Sequence, residues 1–330
     1  MRALITGGTG FVAKHLAARL VSGGHSVRAT RRGVVAPDSV EGVEWVEIPD
    51  IGPQTDWSEA LAGIDVVFHL AGVAHRIAAS QAQIAAEYER VNAQGTLQLA
   101  RMAVATGARV RIVLLSSIGA VCTTSASIVT SRTEPNPDSI YGASKLHAER
   151  LLAQTCEGTR VEWCALRAPL VYGPGAPGNL ARLVALLDRG WPLPLGRATG
   201  RRSLLFVGNL VDALLAAAAV PAAAGRVLLV ADDDAVTVAE LLRLIGAIRG
   251  RPARLLPVPS SWLRFAARCA DALRGGESDR NDRLTRSVQL LLGALELDTG
   301  ETRELLNWRA PYSLQSGLAQ TFANPSKDTH

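Results

Sequence analysis

Tyr141 and Lys145 stand four residues apart in the run Tyr141-Gly142-Ala143-Ser144-Lys145. On a helix that spacing puts a phenol and an ammonium on one face. A phenol titrates near pH ~10, so alone it is a poor acid or base at neutral pH. A lysine cation beside it favours the phenolate and brings the group toward the working range. Such a pair suits proton transfer to or from a substrate oxygen. On a merely solvated helix the same two residues would do nothing, so the elements that position them decide the matter.

The chain opens on a short apolar strand, Arg2 to Thr6, that runs into Thr6-Gly7-Gly8-Thr9-Gly10-Phe11-Val12-Ala13 and then a helical stretch to Ser22. In this Gly-x-x-Gly-x-x-Ala spacing Gly7 permits a tight turn and Gly10 lets the backbone approach a pyrophosphate. Ala13 allows close helix–strand packing, and the helix start at Phe11 and Val12 faces the phosphates. A second strand, Ser26 to Thr30, ends in Arg31-Arg32 where a carboxylate would bind the ribose 2′-hydroxyl of NAD. Two guanidiniums there suit the 2′-phosphate of NADP, so NADP(H) is the expected cofactor and NAD(H) the second. A third strand, Val43 to Ile48, leads to Asp50 and Ile51, placed to meet the adenine. A fourth, Asp65 to Leu70, ends in His69-Leu70-Ala71-Gly72, whose small residues let the backbone pass a cofactor. His69 reads as structural, and His75, beyond the strand, as a substrate contact.

Ser80 to Thr106 reads as one long helix carrying Asn92. Arg111 to Leu115 is a strand ending in Ser116-Ser117, and a polar loop leads into the Tyr141 helix. Val161 to Leu166 is the sixth strand. This alternation predicts an α/β fold, a Rossmann-type doubly wound parallel sheet with ligands at the carboxyl ends of its strands. Residues 1–168 form the dinucleotide domain, to which segments near 204–231 return. Residues 169–322 form a smaller α/β substrate domain, and 323–330 a polar, disordered tail. Trp262 to Leu273 has an apolar face beside arginines, and packing on the protein is its expected use, ahead of resting on a membrane surface.

With 48% apolar and 20% charged residues the chain reads as globular. Its net charge of +5 comes from arginines spread along the chain. That pattern favours an anionic small molecule over nucleic acid. Cys122, Cys156, Cys164 and Cys269 have no metal spacing and read as reduced thiols of a cytoplasmic protein. No metal site and no membrane span are expected; the most apolar stretch, Leu204 to Ala224, is interrupted by Asn209, Asp212 and Pro221.

The order Thr-Gly-x-x-Gly-x-x-Ala, Ser-Ser, Tyr-x-x-x-Lys resembles the extended short-chain dehydrogenases/reductases. Leu166-Arg167-x-Pro169-Leu170-Val171-Tyr172-Gly173-Pro174-Gly175, Gly178-Asn179-Leu180 and Arg202-Ser203-Leu204-x-Phe206-Val207-x-Asn209-Leu210 resemble their nucleotide-sugar branch. Ser116-Ser117-Ile118, Pro192-Leu193-Pro194-Leu195-Gly196 and the run from Leu295 to Trp308 are similar to quinovosamine- and fucosamine-forming reductases of surface-polysaccharide synthesis. Leu170 stands where 4-epimerases carry an asparagine.

The resemblance implies reduction of a 4-keto, UDP-linked hexosamine. Tyr141 would be the general acid, Ser117 (with Ser116 in reserve) the donor to the same oxygen, and Lys145 the group that tunes Tyr141. Asn92, Leu115, Pro169 and Val171 would join the cofactor site. Asn179, Leu180, Leu195 and Arg202 would hold the substrate, with Arg202 on its diphosphate. A homodimer through the helices of Asn92 and Tyr141 is also implied. A UDP-sugar 4-epimerase, a non-sugar ketone reductase and a non-catalytic NADP sensor are the alternatives.

Overall fold

The apolar runs of the first two thirds of the chain become the strands of one parallel sheet. The computed structural model describes residues 1–33, 40–74, 80–177, 179–273 and 283–322. His75, Gly178 and the 323–330 tail therefore lie outside the described residues. In chain order the strands are β1 (Arg2–Thr6), β2 (Ser26–Arg31), β3 (Val43–Glu47), β4 (Val66–His69), β5 (Arg111–Ser117), β6 (Glu162–Ala168), β7 (Leu170–Tyr172), β8 (Arg201–Phe206), β9 (Arg226–Leu229) and β10 (Ala235–Thr237). Seven form a sheet in the order β3-β2-β1-β4-β5-β6-β9, every pairing parallel. The strand order reverses between β1 and β4, the crevice where such sheets bind ligands.

Both faces of the sheet are covered, which is why β4 is buried along its whole length. On one face lie α1 (Phe11–Ser22) and α7 (Val207–Ala219), with Leu16, Leu20, Leu210 and Leu214 fully buried against Ile5 and Leu166. On the other lie α2 (Ser58–Leu61), α4 (Gly95–Ala105) and α5 (Ile140–Cys156), through Trp57, Leu99 and Leu152. Each such leucine contributes about 1.5–3 kcal/mol of transfer free energy.

The 80–106 stretch is helical throughout but not uniform. α3 (Gln81–Tyr88), opened by a Ser80/Gln83 capping box, passes through a π-helical turn at Glu89–Gln94 into α4. Such turns often mark functional positions, and this one carries Asn92.

Of the segments expected to return to the first domain, α7 packs on the sheet and β9 joins it. β8 instead pairs with β7 and β10 in a second, three-stranded sheet. Asp232 ties the two parts together. It accepts hydrogen bonds from the Tyr172 hydroxyl (2.9 Å), the Phe206 amide (3.0 Å) and Asn209 Nδ2 (2.7 Å). The smaller lobe adds α6 (Asn179–Asp188), α8 (Val238–Ile248), α9 (Ser260–Leu273), α10 (Arg283–Leu292) and, after α11 (Gly300–Leu306), α12 (Leu314–Phe322). α11 itself returns to the main core through Leu306, so the expected 169–322 domain is not all in the smaller lobe. One expectation fails here: α9 turns Trp262 and Phe265 outward, 71% and 70% exposed, because Leu263 and Ala267 already fill its inner face.

Candidate active site

Gly7 adopts φ 68°, and a Cβ there would stand 2.9 Å from Ala71 Cα, so the turn and the end of β4 meet at a distance only glycine allows. Thr30 fixes this turn: its hydroxyl accepts from Gly7 N (3.0 Å) and its carbonyl from Gly8 N (2.9 Å). The N-terminus of α1 has no side-chain cap and no acidic residue in its first turn, leaving its amides to an anion. A Cβ at Gly10 would meet only Gly7 O, at 3.1 Å, with open space beyond.

A cavity of about 320 Å³ lies beside this turn. Gly7, Gly10, Arg31, Arg32, Asp50, Ile51, Leu70, Ala71 and Gly72 all line it, nine of the residues picked from sequence as cofactor contacts. The donor set fits a dinucleotide: free amides and arginines for phosphates, Ile51 and Leu70 for the faces of a base. Sequence reasoning missed Arg90, which also lines the cavity and ion-pairs with Asp50. That guanidinium holds the Asp50 carboxyl below its ordinary range, so Asp50 is an ionised acceptor already partly engaged. Arg31 has Glu47 3.7 Å away and a buried Nε with no partner; Arg32 is exposed.

Phe11 and Val12 start α1 and pack toward Tyr172 and Phe206. Leu115 and Val171 pack on the main core, and Pro169 is buried between β6 and β7.

Tyr141 and Lys145 lie in the first turns of α5, and Ser117 at the end of β5. Gly142 explains their proximity. A Cβ there would fall 2.0 Å from Gly119 O, so α5 sits directly on the turn that follows Ser117. Ser117 Oγ accepts from Gly119 N at 3.1 Å and lies beside the Tyr141 phenol, drawing it down. Ser116 points elsewhere, donating to Glu149. The structure thus separates the two serines: Ser117 faces the tyrosine, and Ser116 belongs to a buried cluster.

In that cluster Glu149, 3% exposed, takes hydrogen bonds from Arg167 Nε (3.1 Å) and Nη2 (2.7 Å). The negative charge of Glu149 also supports its helix neighbour Lys145, one turn away. Burial nonetheless pulls the Lys145 ammonium down to about 8, Glu149 opposing. The tyrosine departs from expectation. Burial pushes the Tyr141 phenol up, the Ser117 hydroxyl pulls it down, and Tyr88 adds to the rise. Lys145 does not bring it toward neutrality; desolvation outweighs charge, and the phenol is held protonated.

One chain of hydrogen bonds runs from the glycine turn to this tyrosine. Ala71 N donates to Thr6 Oγ1 (3.1 Å), which lies 2.7 Å from His69 Nδ1. His69 Nε2 lies 2.9 Å from Thr96 Oγ1, whose proton goes to Asn92 O at 2.6 Å. Thr96 therefore accepts from His69 Nε2–H, and Nδ1 accepts from Thr6. The ring is neutral, burial and the Lys145 charge pulling it down to about 3. Asn92 Nδ2 then donates to Ser144 Oγ (3.0 Å), which donates to Tyr141 O (2.8 Å). Asn92 also brackets Val73, accepting from its amide at 2.8 Å and donating to its carbonyl at 3.1 Å. His69 is structural, as expected, and Asn92 aligns the site through backbone.

The residues expected on the substrate are less gathered. Arg202 donates to the carbonyls of Leu290 (2.9 Å), Gly293 (2.9 Å) and Thr123 (3.2 Å), so its guanidinium pins two segments together rather than facing an open diphosphate site. Leu195 is buried in an apolar cluster with Leu187, Leu193 and Leu242, and Leu180 is half-buried against the cluster of Tyr172 and Phe206. Asn179 opens α6.

Residues 3–231 match the model of the NAD dependent epimerase/dehydratase family. A UDP-glucose 4-epimerase of Vibrio cholerae is 34% identical over 322 residues, 96% of this chain and 93% of that protein. A 4-hydroxy-2-methyl-3-oxo-4-farnesyl-3,4-dihydroquinoline-1-oxide ketoreductase of Stigmatella aurantiaca is 26% identical over 96% of this chain and 95% of its own length. Among solved structures, MoeE5 in complex with UDP-glucuronic acid and NAD superposes with a TM-score of 0.75, at 26% identity over 98% of both chains.

Proposed function

The chain belongs to the NAD dependent epimerase/dehydratase family, and from that premise we propose that it reduces the 4-keto group of a nucleotide sugar. The substrate class is a UDP-linked 4-keto-6-deoxy-hexosamine, a precursor for surface polysaccharide. The observation that carries the chemistry is the half-buried Tyr141 on the first turn of α5, which Gly142 seats directly on the turn after Ser117, a proton donor placed for a sugar oxygen. The direction of reduction rests on Leu170, where 4-epimerases carry an asparagine.

Tyr141 donates that proton to the carbonyl oxygen, and Ser117 hydrogen-bonds the same oxygen as charge develops on it. Lys145 supplies the cation beside them and binds the ribose hydroxyls. Gly7, Gly10 and the α1 N-terminus take the pyrophosphate, and Asp50 and Ile51 border the adenine. When bound, the nicotinamide supplies hydride to the carbonyl carbon. The family and MoeE5 support NAD; the preference for NADP(H) rests on Arg31 and Arg32 at the cavity. The homodimer through the helices of Asn92 and Tyr141 is part of the same proposal, and light scattering at twice 34.9 kDa would support it.

A second reading, UDP-sugar 4-epimerase, is favoured by the full-length likeness to the Vibrio cholerae enzyme. It uses the same residues, with Tyr141 first taking a proton from the 4-hydroxyl. One pair of assays separates the two. With a UDP-4-keto-6-deoxy-hexosamine and NADPH or NADH, a reductase consumes stoichiometric cofactor. With UDP-glucose or UDP-N-acetylglucosamine and no added cofactor, an epimerase yields the C4 epimer and carries bound dinucleotide through gel filtration. Neither activity, with turnover of a lipophilic ketone, would overturn both.

A further inference from the structure

The outward face of α9 is apolar on the side opposite the core. Leu263, Ala267 and Asp271 face inward; Asp271 accepts from the amides of Leu284 (3.3 Å) and Thr285 (2.8 Å). At 100° per residue, Trp262, Phe265, Ala266 and Cys269 form the outer stripe, and Arg264 and Arg268 run along one flank. All six are exposed.

The chain that packs against α9 adds further exposed apolar residues. The segment at 191–198 pairs with 254–256 through Leu193 N to Arg254 O (2.8 Å) and Gly196 N to Leu256 O (2.9 Å), and Leu263 packs on Leu187, Leu193 and Leu195. Trp191 and Leu256 in this region are 60% and 46% exposed. Arg189, Arg197, Arg251 and Arg254 are exposed as well. Within residues 184–199 and 249–273 the sequence has two carboxylates, Asp188 and Asp271. Asp188 is taken by Arg249 (2.7 and 2.9 Å), and Asp271 is turned in.

From this we propose that the outer face of α9 and its neighbours docks the enzyme on a bilayer surface bearing anionic headgroups. Trp and Phe are suited to the headgroup–acyl boundary, and arginines to the charge above it. A second copy of this chain is disfavoured as the occupant, since self-pairing would set arginine against arginine with no carboxylate of the described residues of this face free between them. No helix among the described residues is long and apolar enough to cross a membrane, so the contact is peripheral. The proposal is independent of which ketone or sugar the enzyme acts on.

The test is flotation of the full chain with vesicles of pure phosphatidylcholine or of phosphatidylcholine with phosphatidylglycerol. Binding should require the anionic lipid and fall as salt rises. Arg264→Gln with Arg268→Gln should weaken partitioning about 5-fold per arginine, some 25-fold together. Trp262→Ser with Phe265→Ser should abolish it, with solution activity and melting temperature unchanged because both side chains are exposed. Binding to neutral vesicles as strong as to anionic ones, or no flotation at any lipid density, would overturn the proposal. So would a wild-type oligomer that the Trp262→Ser/Phe265→Ser variant converts to a smaller species, which would give the face to a second copy. Should a variant unfold, the salt and lipid dependence of the wild type decides.

Discussion

Replacing Lys145 by methionine should make the fold more stable while ending turnover. Lys145 is buried and its ammonium is pulled from an ordinary value of 10.5 to about 8. In the unfolded chain it holds its proton up to the ordinary value. At pH 7 both states are protonated, so the folded state bears the full penalty of a buried charge. The difference of about 2.5 pH units, at about 1.4 kcal/mol each, amounts to about 3 kcal/mol. Methionine has similar length and no charge, so Lys145→Met should raise the unfolding free energy by up to that amount. The sign also fixes a pH window. Between pH 8 and 10.5 the unfolded wild type binds more protons than the folded one, so wild-type stability rises there and the advantage of the variant shrinks. The assay is urea denaturation of both proteins at several pH values from 7 to 10, with turnover measured alongside. A variant no more stable than wild type at pH 7, or a difference that does not change with pH, would refute the reasoning that burial dominates this site.

Tyr141→Phe keeps the ring but removes the proton donor, so kcat should fall by about 10²–10⁴-fold with dinucleotide affinity nearly unchanged by calorimetry. Arg31→Ala with Arg32→Ala should weaken NADP far more than NAD; equal losses would remove the 2′-phosphate role. Glu149→Gln leaves the buried Arg167 charge without its partner and should cost about 3–5 kcal/mol in urea melts, a loss that Arg167→Met in the same chain should largely restore. Gly142→Ala, whose Cβ would fall 2.0 Å from Gly119 O, must push α5 off the turn after Ser117, lowering both melting temperature and kcat.

Much of the first lobe was legible because its signals are local. The glycine turn, the small residues at 70–72 and the arginines at 31–32 sit on short stretches whose backbone demands are written in residue type, and they converge on one cavity. The Tyr141/Lys145 spacing was equally plain. What was not legible depends on partners distant in the chain. Nothing beside Asp50 announces Arg90, and nothing beside Glu149 announces Arg167 from β6 or Ser116 from β5. The level of the Tyr141 phenol was misjudged for the same reason: charge can be counted along a sequence, but desolvation depends on what packs around the group. Arg202 shows the limit of a motif, since its guanidinium lies among carbonyls of Leu290, Gly293 and Thr123 that no pattern predicts.

The hydrogen-bond chain from Thr6 through His69, Thr96, Asn92 and Ser144 to Tyr141 has a practical consequence for redesign. It joins the pyrophosphate turn to the proton donor, yet Arg31 and Arg32 stand outside it. On the proposed 2′-phosphate role of Arg31 and Arg32, cofactor choice and catalytic alignment would be separable. The side chains of Arg31 and Arg32 can be exchanged to test that role without resetting the tyrosine, provided Thr30, which holds the glycine turn, is kept, whereas any change at the Thr6–Asn92 axis would disturb both ends together.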